Sequence, residues 1–226
     1  LSSANNIYDA TTSAVVVGTA VLQSSISAGS GTDSDGKAYT GDTVSLTGTA
    51  VGNFNDKDVA DATTVSYSGL NLTGSDAGNY SLSSHASDSQ SISPKAITIS
   101  GLSSANKVYD GTLSAVVSGT AALQSAITGG SGTGSDGKPY SGDDLGLVGT
   151  AVANFNDKDV ADATTVSFSG LSLTGAEAGN YTFTAHSDAS HSITAKALSI
   201  SGLSSVDKVY DGTMTASSIG TASLQS

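Results

Sequence analysis

The strongest constraint on this chain is an internal repeat of about one hundred residues. The opening residues LSSAN return at 102–106, and residues 1–101 align with 102–202 without gaps, with about two thirds of the positions identical. The chain therefore contains two full repeats, 1–101 and 102–202, and the start of a third, 203–226. A solenoid coil has ~20–50 residues and a domain ~100–150, so each full repeat is predicted to fold as one domain.

Short, alternating apolar segments within each repeat predict β-strands. In the first repeat, Val65 and Tyr67 alternate with serines, and Ile97 and Ile99 alternate with Thr98. Turn residues separate these segments. The predicted strand segments of the first repeat are 14–17, 44–47, 65–72, 80–82 and 97–99. The sequence therefore predicts an all-β chain of tandem Ig-like, Greek-key β-sandwich domains.

Two stretches differ from this strand pattern. Residues 29–42 are rich in Gly, Ser and Asp and predict a long surface loop. Residues 20–27 predict a short helical turn, because Leu22 and Ile26 are four positions apart, and residues 121–128 repeat this pattern.

The join between the repeats is short. Residues 95–107 lead from a strand signal directly into the next repeat, without a Pro-rich or charged spacer. A short linker restricts bending, so the domains are expected to form an elongated rod. Residues 203–226 have two interpretations, which stay open here. They are either an incidental start of a third repeat, or they supply a completing strand to repeat 2 or to a neighbouring chain.

Composition excludes some partners. The net charge is −12, with eight lysines and no arginine. This argues against nucleic acid, which is bound through basic groups, and against anionic lipid. No stretch reaches the ~20 apolar residues of a membrane span, so direct membrane insertion is not expected. The repeat pattern runs to both ends of the sequence, and we expect any targeting or anchoring sequence to lie in a longer parent protein.

Three ordered motifs carry a family resemblance. They are KVYDGT at 107–112 and 208–213, NFNDKDV at 154–160, and LSLTGAEAGNYT at 171–182. Together they resemble the YDG-type repeat domains of large bacterial surface and secreted proteins, including filamentous-haemagglutinin-like adhesins. The first repeat has Ala10 where the motif has Gly, which costs about 1 kcal/mol if the position needs a positive φ. The candidate structural-motif residues are Tyr8, Asp9, Tyr109, Asp110, Gly111, Tyr210, Asp211, Gly212, Asn79, Tyr80, Asn180 and Tyr181.

The resemblance implies a structural function at the bacterial cell surface. We expect a spacer or stalk repeat of an extracellular adhesin or surface filament, assembled in part by strand addition between repeats. Its expected partners are neighbouring repeats of the same protein and other copies in a filament. The alternative is an adhesive module that recognises a host receptor or glycan through its Gly/Asp-rich loops.

The Asn/Asp-rich loop of each repeat is the candidate cation site. Calcium binds six to eight oxygen ligands, and carboxylates and amides provide them. The candidate ligands are Asn55, Asp56, Asp58 and Asp61 in the first repeat, and Asn156, Asp157, Asp159 and Asp162 in the second. The competing interpretation is an Asx-rich turn whose side chains bond their own backbone, with Phe54 in the core. No other cofactor is expected.

Catalysis finds no support in the sequence. Cysteine is absent, and His85 and His186 lie in the least similar part of the repeat without a nucleophile elbow. We therefore expect that the protein is not an enzyme. A Lys–Asn cross-link through Lys95 or Lys196 is a further alternative that no spacing singles out.

Overall fold

The computed structural model describes residues 1–183 and 186–225 and divides into two compact units. Unit 1 comprises Leu1–Leu102, Gly119–Ala151 and Ser169–His186, and unit 2 comprises Ser103–Ser118, Val152–Phe168 and Ser187–Ser226. Unit 1 thus contains the whole first repeat and much of the second. The units do not follow the sequence repeats, and independent folding of 1–101 and 102–202 stays a prediction.

The described residues are all-β, as the alternation predicts. The only helical segments there are two 3-10 turns, Ala77–Asn79 and Ala178–Asn180. The strands are β1 (Ser2–Ser3), β2 (Asn6–Ile7), β3 (Ser13–Ala14), β4 (Val16–Val17), β5 (Ser45–Phe54), β6 (Thr64–Thr73), β7 (Asp88–Ser89), β8 (Ile92–Ser93), β9 (Lys95–Ile97), β10 (Ile99–Ser103), β11 (Lys107–Val108), β12 (Ser114–Ala115), β13 (Ser118–Leu123), β14 (Gly146–Phe155), β15 (Thr165–Thr174), β16 (Tyr181–Phe183), β17 (Ser187–Ala189), β18 (Ile193–Thr194), β19 (Ile200–Ser205) and β20 (Ser218–Leu224).

A long antiparallel pair, β5 with β6, forms the centre of a four-stranded sheet in the order β3-β5-β6-β7. Along β6, Val65 and Tyr67 are buried while Ser66 and Ser68 are exposed, which is the period of two expected for a sheet with one covered face. The equivalent strands of the second repeat form a sheet in the order β12-β14-β15-β17.

The β5–β6 pair contains a register shift between Gly48 and Val51 that requires glycine. Gly48 has φ of 93° and Gly69 has φ of 83°. A Cβ on Gly48 would lie 2.2 Å from the carbonyl oxygen of Gly69, so no side chain fits there. The two glycines let the strands approach each other and bend at the point where the alternation of buried and exposed side chains shifts.

A short strand pair recurs at the start of each repeat, and it is antiparallel in the first and third cases. It joins β1 to β4, β10 to β13, and β19 to β20. In the third case β19 begins in the second repeat and β20 lies in residues 203–226, with Ile200 opposite Leu224. The partial third repeat is therefore paired with the end of the second. Whether it completes a domain of repeat 2 or of another chain stays a prediction.

The structure corrects one prediction and qualifies another. The helical turn predicted at 20–27 and 121–128 is wrong, because residues 121–123 belong to β13, which pairs with β10. The strand predicted at 80–82 does not form, although its equivalent Tyr181–Phe183 is β16, paired in parallel with β9. A strand signal produces a strand only where a partner edge is present.

The core of unit 1 includes side chains from both full repeats. Its buried members are Tyr8, Phe54, Ala62, Val65, Tyr67, Ile92, Ile97, Tyr140 and Tyr181. Phe54 is 4% exposed, as the Asx-turn interpretation of its loop predicts. In unit 2, Phe155, Val166, Phe168 and Ile193 are buried at the equivalent or neighbouring positions. Among the described residues, no helix is long and apolar enough to cross a membrane.

Candidate functional site

Tyr8, the tyrosine of the repeat motif, is one of the most deeply buried side chains of unit 1. It follows β2 and is 1% exposed. The rings of Tyr140 and Tyr181 contact it edge-on, with centroid distances of 5.9 and 5.3 Å. Edge-to-face pairs at such distances stabilise beyond the area they bury. Since Tyr8 belongs to the first repeat and the other two rings to the second, this cluster joins successive repeats.

One carboxylate organises the three tyrosines. The hydroxyl groups of Tyr8 and Tyr181 both donate to Oδ2 of Asp143, at 2.9 and 2.5 Å. The Tyr181 hydroxyl also accepts the backbone N–H of Tyr140 at 2.9 Å. Burial, followed by the hydrogen bond to Asp143, raises the pKa of Tyr8 and of Tyr181 far above that of a free phenol. Both phenols therefore stay protonated donors at neutral pH.

The residues after the motif tyrosine form a tight turn. Oδ1 of Asp9 accepts the backbone N–H and the hydroxyl of Thr11, both at 2.8 Å. Ala10 has φ of 63°, and Gly111 and Gly212 at the equivalent positions have φ of 81° and 76°. The position of the motif glycine therefore has a positive φ in all three repeats. Ala10 adopts the left-handed conformation in spite of its Cβ.

A lysine braces the same turn in the second repeat. Nζ of Lys107 contacts Oδ1 of Asp110 at 2.7 Å and also donates to the carbonyl groups of Thr112 and Ser114. The hydrogen bond from Lys107 lowers the pKa of Asp110 to about 2. In the third repeat, Lys208 contacts Asp211 at the same distance of 2.7 Å. Asp110 and Asp211 therefore hold the turn and are engaged within it.

Lys95 is the only charged residue among the described residues that is fully buried. Its Nζ lies 3.0 Å from Oδ1 of Asp136 and 4.0 Å from the centre of the Tyr140 ring. Burial by itself would raise the pKa of Asp136, but the N–H groups of Lys138 and Thr133 and the ammonium of Lys95 outweigh it and lower the pKa to about 2. Lys95 of the first repeat is thus anchored in a loop of the second repeat. Its partner there is the carboxylate of Asp136, whereas a Lys–Asn cross-link would need an asparagine.

Main-chain contacts continue this junction. Strand β9 pairs in parallel with β16, with Lys95 opposite Tyr181 and Ile97 opposite Phe183. The N–H of Thr98 donates to the carbonyl group of Gly137 at 3.0 Å. We call the set Tyr8, Lys95, Ile97, Asp136, Tyr140, Asp143 and Tyr181 the inter-repeat contact. All of its members lie within unit 1.

Asn180 explains why the AGNY motif carries an asparagine. It is 4% exposed, and its Oδ1 accepts the N–H of Val59 at 2.8 Å while its Nδ2 donates to Asp58 at 2.7 Å. A buried amide that lacked these partners would be costly. The hydrogen bond from Lys57, with a further one from Asn180, lowers the pKa of Asp58.

The first candidate calcium loop forms a network of Asx turns. Oδ1 of Asn55 accepts the N–H groups of Thr63 and Thr64, and its Nδ2 donates to the carbonyl group of Asp61. Oδ1 of Asp56 accepts the N–H of Asp58. These side chains fix the loop through their own backbone, as the competing interpretation describes.

The second candidate loop has the same bonds. Asn156 accepts two N–H groups and donates to Asp162, and Asp157 accepts the N–H of Asp159. Across the described part of the chain, no three His, Cys, Asp or Glu side chains are grouped so that they could hold a metal ion. Calcium binding by either loop stays a prediction, which a melting curve with millimolar calcium or a chelator checks.

The remaining motif residues lie at positions where the inter-repeat contact is not formed. Tyr109 is half-buried, and Tyr210 is 93% exposed. Asn79 is exposed and Tyr80 half-buried, whereas Asn180 and Tyr181 are buried. The same motif is thus buried or exposed according to whether an adjacent repeat contacts it.

Sequence reasoning missed half of this contact. It did not select Asp136, Tyr140 or Asp143, nor Lys95 as an anchor. The signal was present, because Asp35, Tyr39 and Asp42 occupy the equivalent positions one repeat earlier, in a loop that the two repeats largely share. A polar or aromatic residue that is kept in a Gly/Ser-rich loop of both repeats indicates a contact.

The fold and the site define an all-β tandem-repeat protein whose successive repeats share a core. The chain belongs to the YDG domain family, whose model matches residues 1–88 and 93–189. Comparison with curated proteins and with solved structures gives no match.

Proposed function

We propose that this chain is a structural spacer segment of an extracellular bacterial adhesin or surface filament. The observation that carries the proposal is the burial of the motif tyrosine of one repeat by the next. Tyr8 is 1% exposed between Tyr140 and Tyr181, and the buried Lys95 lies against Asp136. Motif residues of this family thereby serve to couple neighbouring repeats.

The coupling suits a load-bearing array. A linker that is also a core strand cannot pivot freely, since β9 and β10 belong to the packed region. Nearest-neighbour interfaces add to the stability of each unit in a repeat protein. We extend the proposal to the architecture, as Ig-like sandwich repeats arranged in a rod. The proposed location at the bacterial surface rests on the family resemblance of the three sequence motifs.

The acidic surface supports an extracellular array. A net charge of −12 keeps a long polymer soluble and discourages contact with nucleic acid and anionic lipid. The absence of cysteine is compatible with this environment, because here stability depends on repeated packing contacts rather than on disulfides.

Reach is the property that tests a spacer. Chains with two, four and six repeats are displayed on a bacterial surface, each with the same binding tag at its outer end, and capture of the tag by an immobilised partner is measured. Capture is expected to increase with repeat number. It should exceed that of Gly/Ser spacers with the same residue counts, because flexible chains grow in extent only with about the square root of length.

The adhesive alternative predicts a different result. The soluble chain without a tag would bind host cells, and alanine replacement in the loops 29–42 and 130–143 would abolish that binding. A spacer binds no better than an unrelated acidic protein and is insensitive to these replacements. Small-angle scattering on the same repeat series tests the rod, whose maximum dimension is expected to rise linearly with repeat number.

A further inference from the structure

The polar and aromatic residues of the inter-repeat contact are the same in both full repeats. The residues concerned are Tyr8, Lys95, Asp136, Tyr140, Asp143 and Tyr181, and their equivalents 101 positions away are identical in type. These residues therefore hold neighbouring repeats together without distinguishing one repeat from another. Nearly identical repeats are at risk of pairing with the wrong copy, so a contact that does distinguish them has a physical use.

The motif of the first repeat differs from the later motifs in the size of two side chains. It reads NIYDAT at 6–11, whereas the second and third repeats read KVYDGT at 107–112 and 208–213. Ile7 and Ala10 thus stand where the later motifs have valine and glycine. The first motif is larger by one carbon atom at each of these positions.

The loop that packs against the motif also differs between the repeats at two positions. Residues 129–138 of the second repeat read GGSGTGSDGK, and residues 28–37 of the first repeat read AGSGTDSDGK. Gly129 and Gly134 thus stand where the first repeat has Ala28 and Asp33. The loop of the second repeat is the one that lacks a side chain at both positions.

The two glycines lie against the two larger motif residues. A Cβ built on Gly129 would lie 3.3 Å from the Cβ of Ala10, and a Cβ built on Gly134 would lie 2.7 Å from Cδ1 and 3.0 Å from Cγ2 of Ile7. Carbon atoms in favourable contact are about 3.5–4.0 Å apart. Neither glycine has a positive φ, so the backbone of the loop does not itself require glycine there. The space of the missing side chains is occupied by the motif.

The loop is held in place on both sides of these contacts. The N–H of Gly130 donates to the carbonyl group of Asp9 at 2.7 Å, beside the first glycine contact. The N–H of Thr98 donates to the carbonyl group of Gly137 at 3.0 Å, three residues beyond the second glycine contact. A side chain added at either glycine would strain the packing, because the loop could move away only by losing these hydrogen bonds.

The loop of the first repeat has the same backbone geometry. Gly31 and Gly36 have φ of 81° and 73°, and their equivalents Gly132 and Gly137 both have φ of 75°. In both loops an aspartate side chain accepts the N–H of the threonine three residues earlier. The alanine and the aspartate of the first loop therefore place their Cβ atoms where the second loop has none.

We propose that these two loop positions form a size match that selects which repeat follows which. A loop with glycine at both positions accepts the motif with Ile7 and Ala10. A loop with alanine and aspartate there is sterically incompatible with that motif, and such a clash discriminates between partners that share all attractive contacts. The partner of the first motif is thus a neighbouring repeat of the glycine type. The selection rests on contacts within unit 1, and only its use in an array rests on the proposed spacer function.

Exchanges of the loop and of the motif in the whole chain 1–226 test this size match. The loop variant Gly129→Ala, Gly134→Asp gives the second loop the residues of the first. The motif variant Ile7→Val, Ala10→Gly gives the first motif the residues of the second, and a combined chain carries all four substitutions. Thermal melting is followed by near-UV circular dichroism, to which the buried tyrosines of unit 1 contribute.

The loop variant is expected to melt about 5 °C below the wild type, because overpacking strains the contact. The motif variant should melt within about 2 °C of the wild type, since Ile7 is 50% exposed and Ala10→Gly relieves a positive φ while it removes a methyl group. In the combined chain the loop exchange should lower the melting temperature by less than half as much. The reason is that the Cβ of residue 10 and the Cδ1 of residue 7, the nearest atoms, are gone.

A matched control makes the reverse exchange in the loop of the first repeat. Ala28 and Asp33 are exposed there, so Ala28→Gly, Asp33→Gly should change the melting temperature by less than about 2 °C. This control measures what the same residue types contribute in the same loop backbone.

Equal costs of the loop exchange with either motif would overturn the size match, and so would a loop variant that melts like the wild type. If the loop variant does not fold, the combined chain decides. Recovery of the folded spectrum supports the size match, and a combined chain that is also unfolded overturns it. Neither result changes the reach experiment, which compares different numbers of native repeats. A failure of reach with the coupling intact would instead remove the spacer function and leave the size match in place.

Discussion

The hydroxyl group of Tyr8 donates a hydrogen bond to Asp143, a residue 135 positions later in the chain. The same carboxylate oxygen accepts the hydroxyl of Tyr181, so two buried phenols from different repeats share one acceptor. A contact of this kind makes the stability of one repeat depend on the presence of the next. It also offers a matched comparison, because Tyr109 occupies the position of Tyr8 without the buried environment.

Replacing Tyr8 by Phe is expected to lower the free energy of unfolding by about 2 kcal/mol, since a hydrogen bond to a carboxylate is lost. Tyr109→Phe should change it by less than about 0.5 kcal/mol, because Tyr109 is only half-buried. Urea denaturation of both variants measures the difference. Equal effects of the two substitutions would contradict a special role for the Tyr8–Asp143 bond.

Alkaline pH should weaken unit 1 once it rises above the pKa of an ordinary phenol. The pKa values of Tyr8 and Tyr181 are raised in the folded state, so folded chains keep protons that unfolded chains lose above about pH 10. The contribution of these two phenols to the free energy of unfolding is therefore constant below that pH and falls above it. Denaturation between about pH 9 and pH 12 measures the slope. The Tyr8→Phe, Tyr181→Phe double variant should have a smaller slope. It keeps the part contributed by other groups whose pKa values are raised, which include Tyr67, Tyr80, Lys57 and Lys158.

Acid should weaken the same unit through Asp136. Its pKa of about 2 lies below the ordinary value of 3.8, so its contribution is complete above pH 3.8 and is lost as the pH falls towards 2. Asp136→Asn should flatten the decline in stability over this window. Asp35→Asn, at the equivalent position in the first repeat, is the control and should retain the wild-type slope. Thermal melts at stepwise lower pH record both.

Removal of the buried ammonium group is expected to be costly. Lys95→Ala leaves the Asp136 carboxylate without its partner and removes the packing against Tyr140, which together should cost about 3 kcal/mol. Lys196→Ala should cost less than about 0.5 kcal/mol, because Lys196 is exposed. Chemical denaturation of the two variants is the measurement, and a small effect at Lys95 would show that the pair contributes little.

In the turn after the motif tyrosine, replacing glycine by alanine should lower the stability only because of the backbone conformation. Gly111 has φ of 81° and open space around a built Cβ, so Gly111→Ala should cost about 1 kcal/mol without any steric clash. Gly179→Ala has equally open space but no positive φ, and should be neutral within about 0.5 kcal/mol. Melting temperatures separate the two. Ala10→Gly should stabilise by less than about 1 kcal/mol, because the methyl group of Ala10 packs against the core.

The periodic elements of the fold were predictable from the sequence. Val65 and Tyr67 occupy one face of β6 because their spacing of two allows only one buried face, and the Asp-Gly dipeptides marked turns with positive φ. The helical pattern of Leu22 and Ile26 was misleading, because the equivalent Leu123 lies in β13, which pairs with β10, and Ile26 forms a β-bridge with Tyr39. A local helical pattern does not decide the structure when a neighbouring strand provides partners for the backbone hydrogen bonds.

The sequence by itself determined the repeat, the all-β class, the family and the turn geometry, since each depends on residues close together in the chain. Only the tertiary structure decided what the motif tyrosine does. Tyr8 and Tyr109 occupy equivalent positions in the same sequence motif, yet one is 1% exposed and the other half-buried. The difference arises from the presence of Tyr140, Asp143 and Tyr181 beside Tyr8, because burial and hydrogen bonding depend on the atoms that surround a side chain in space.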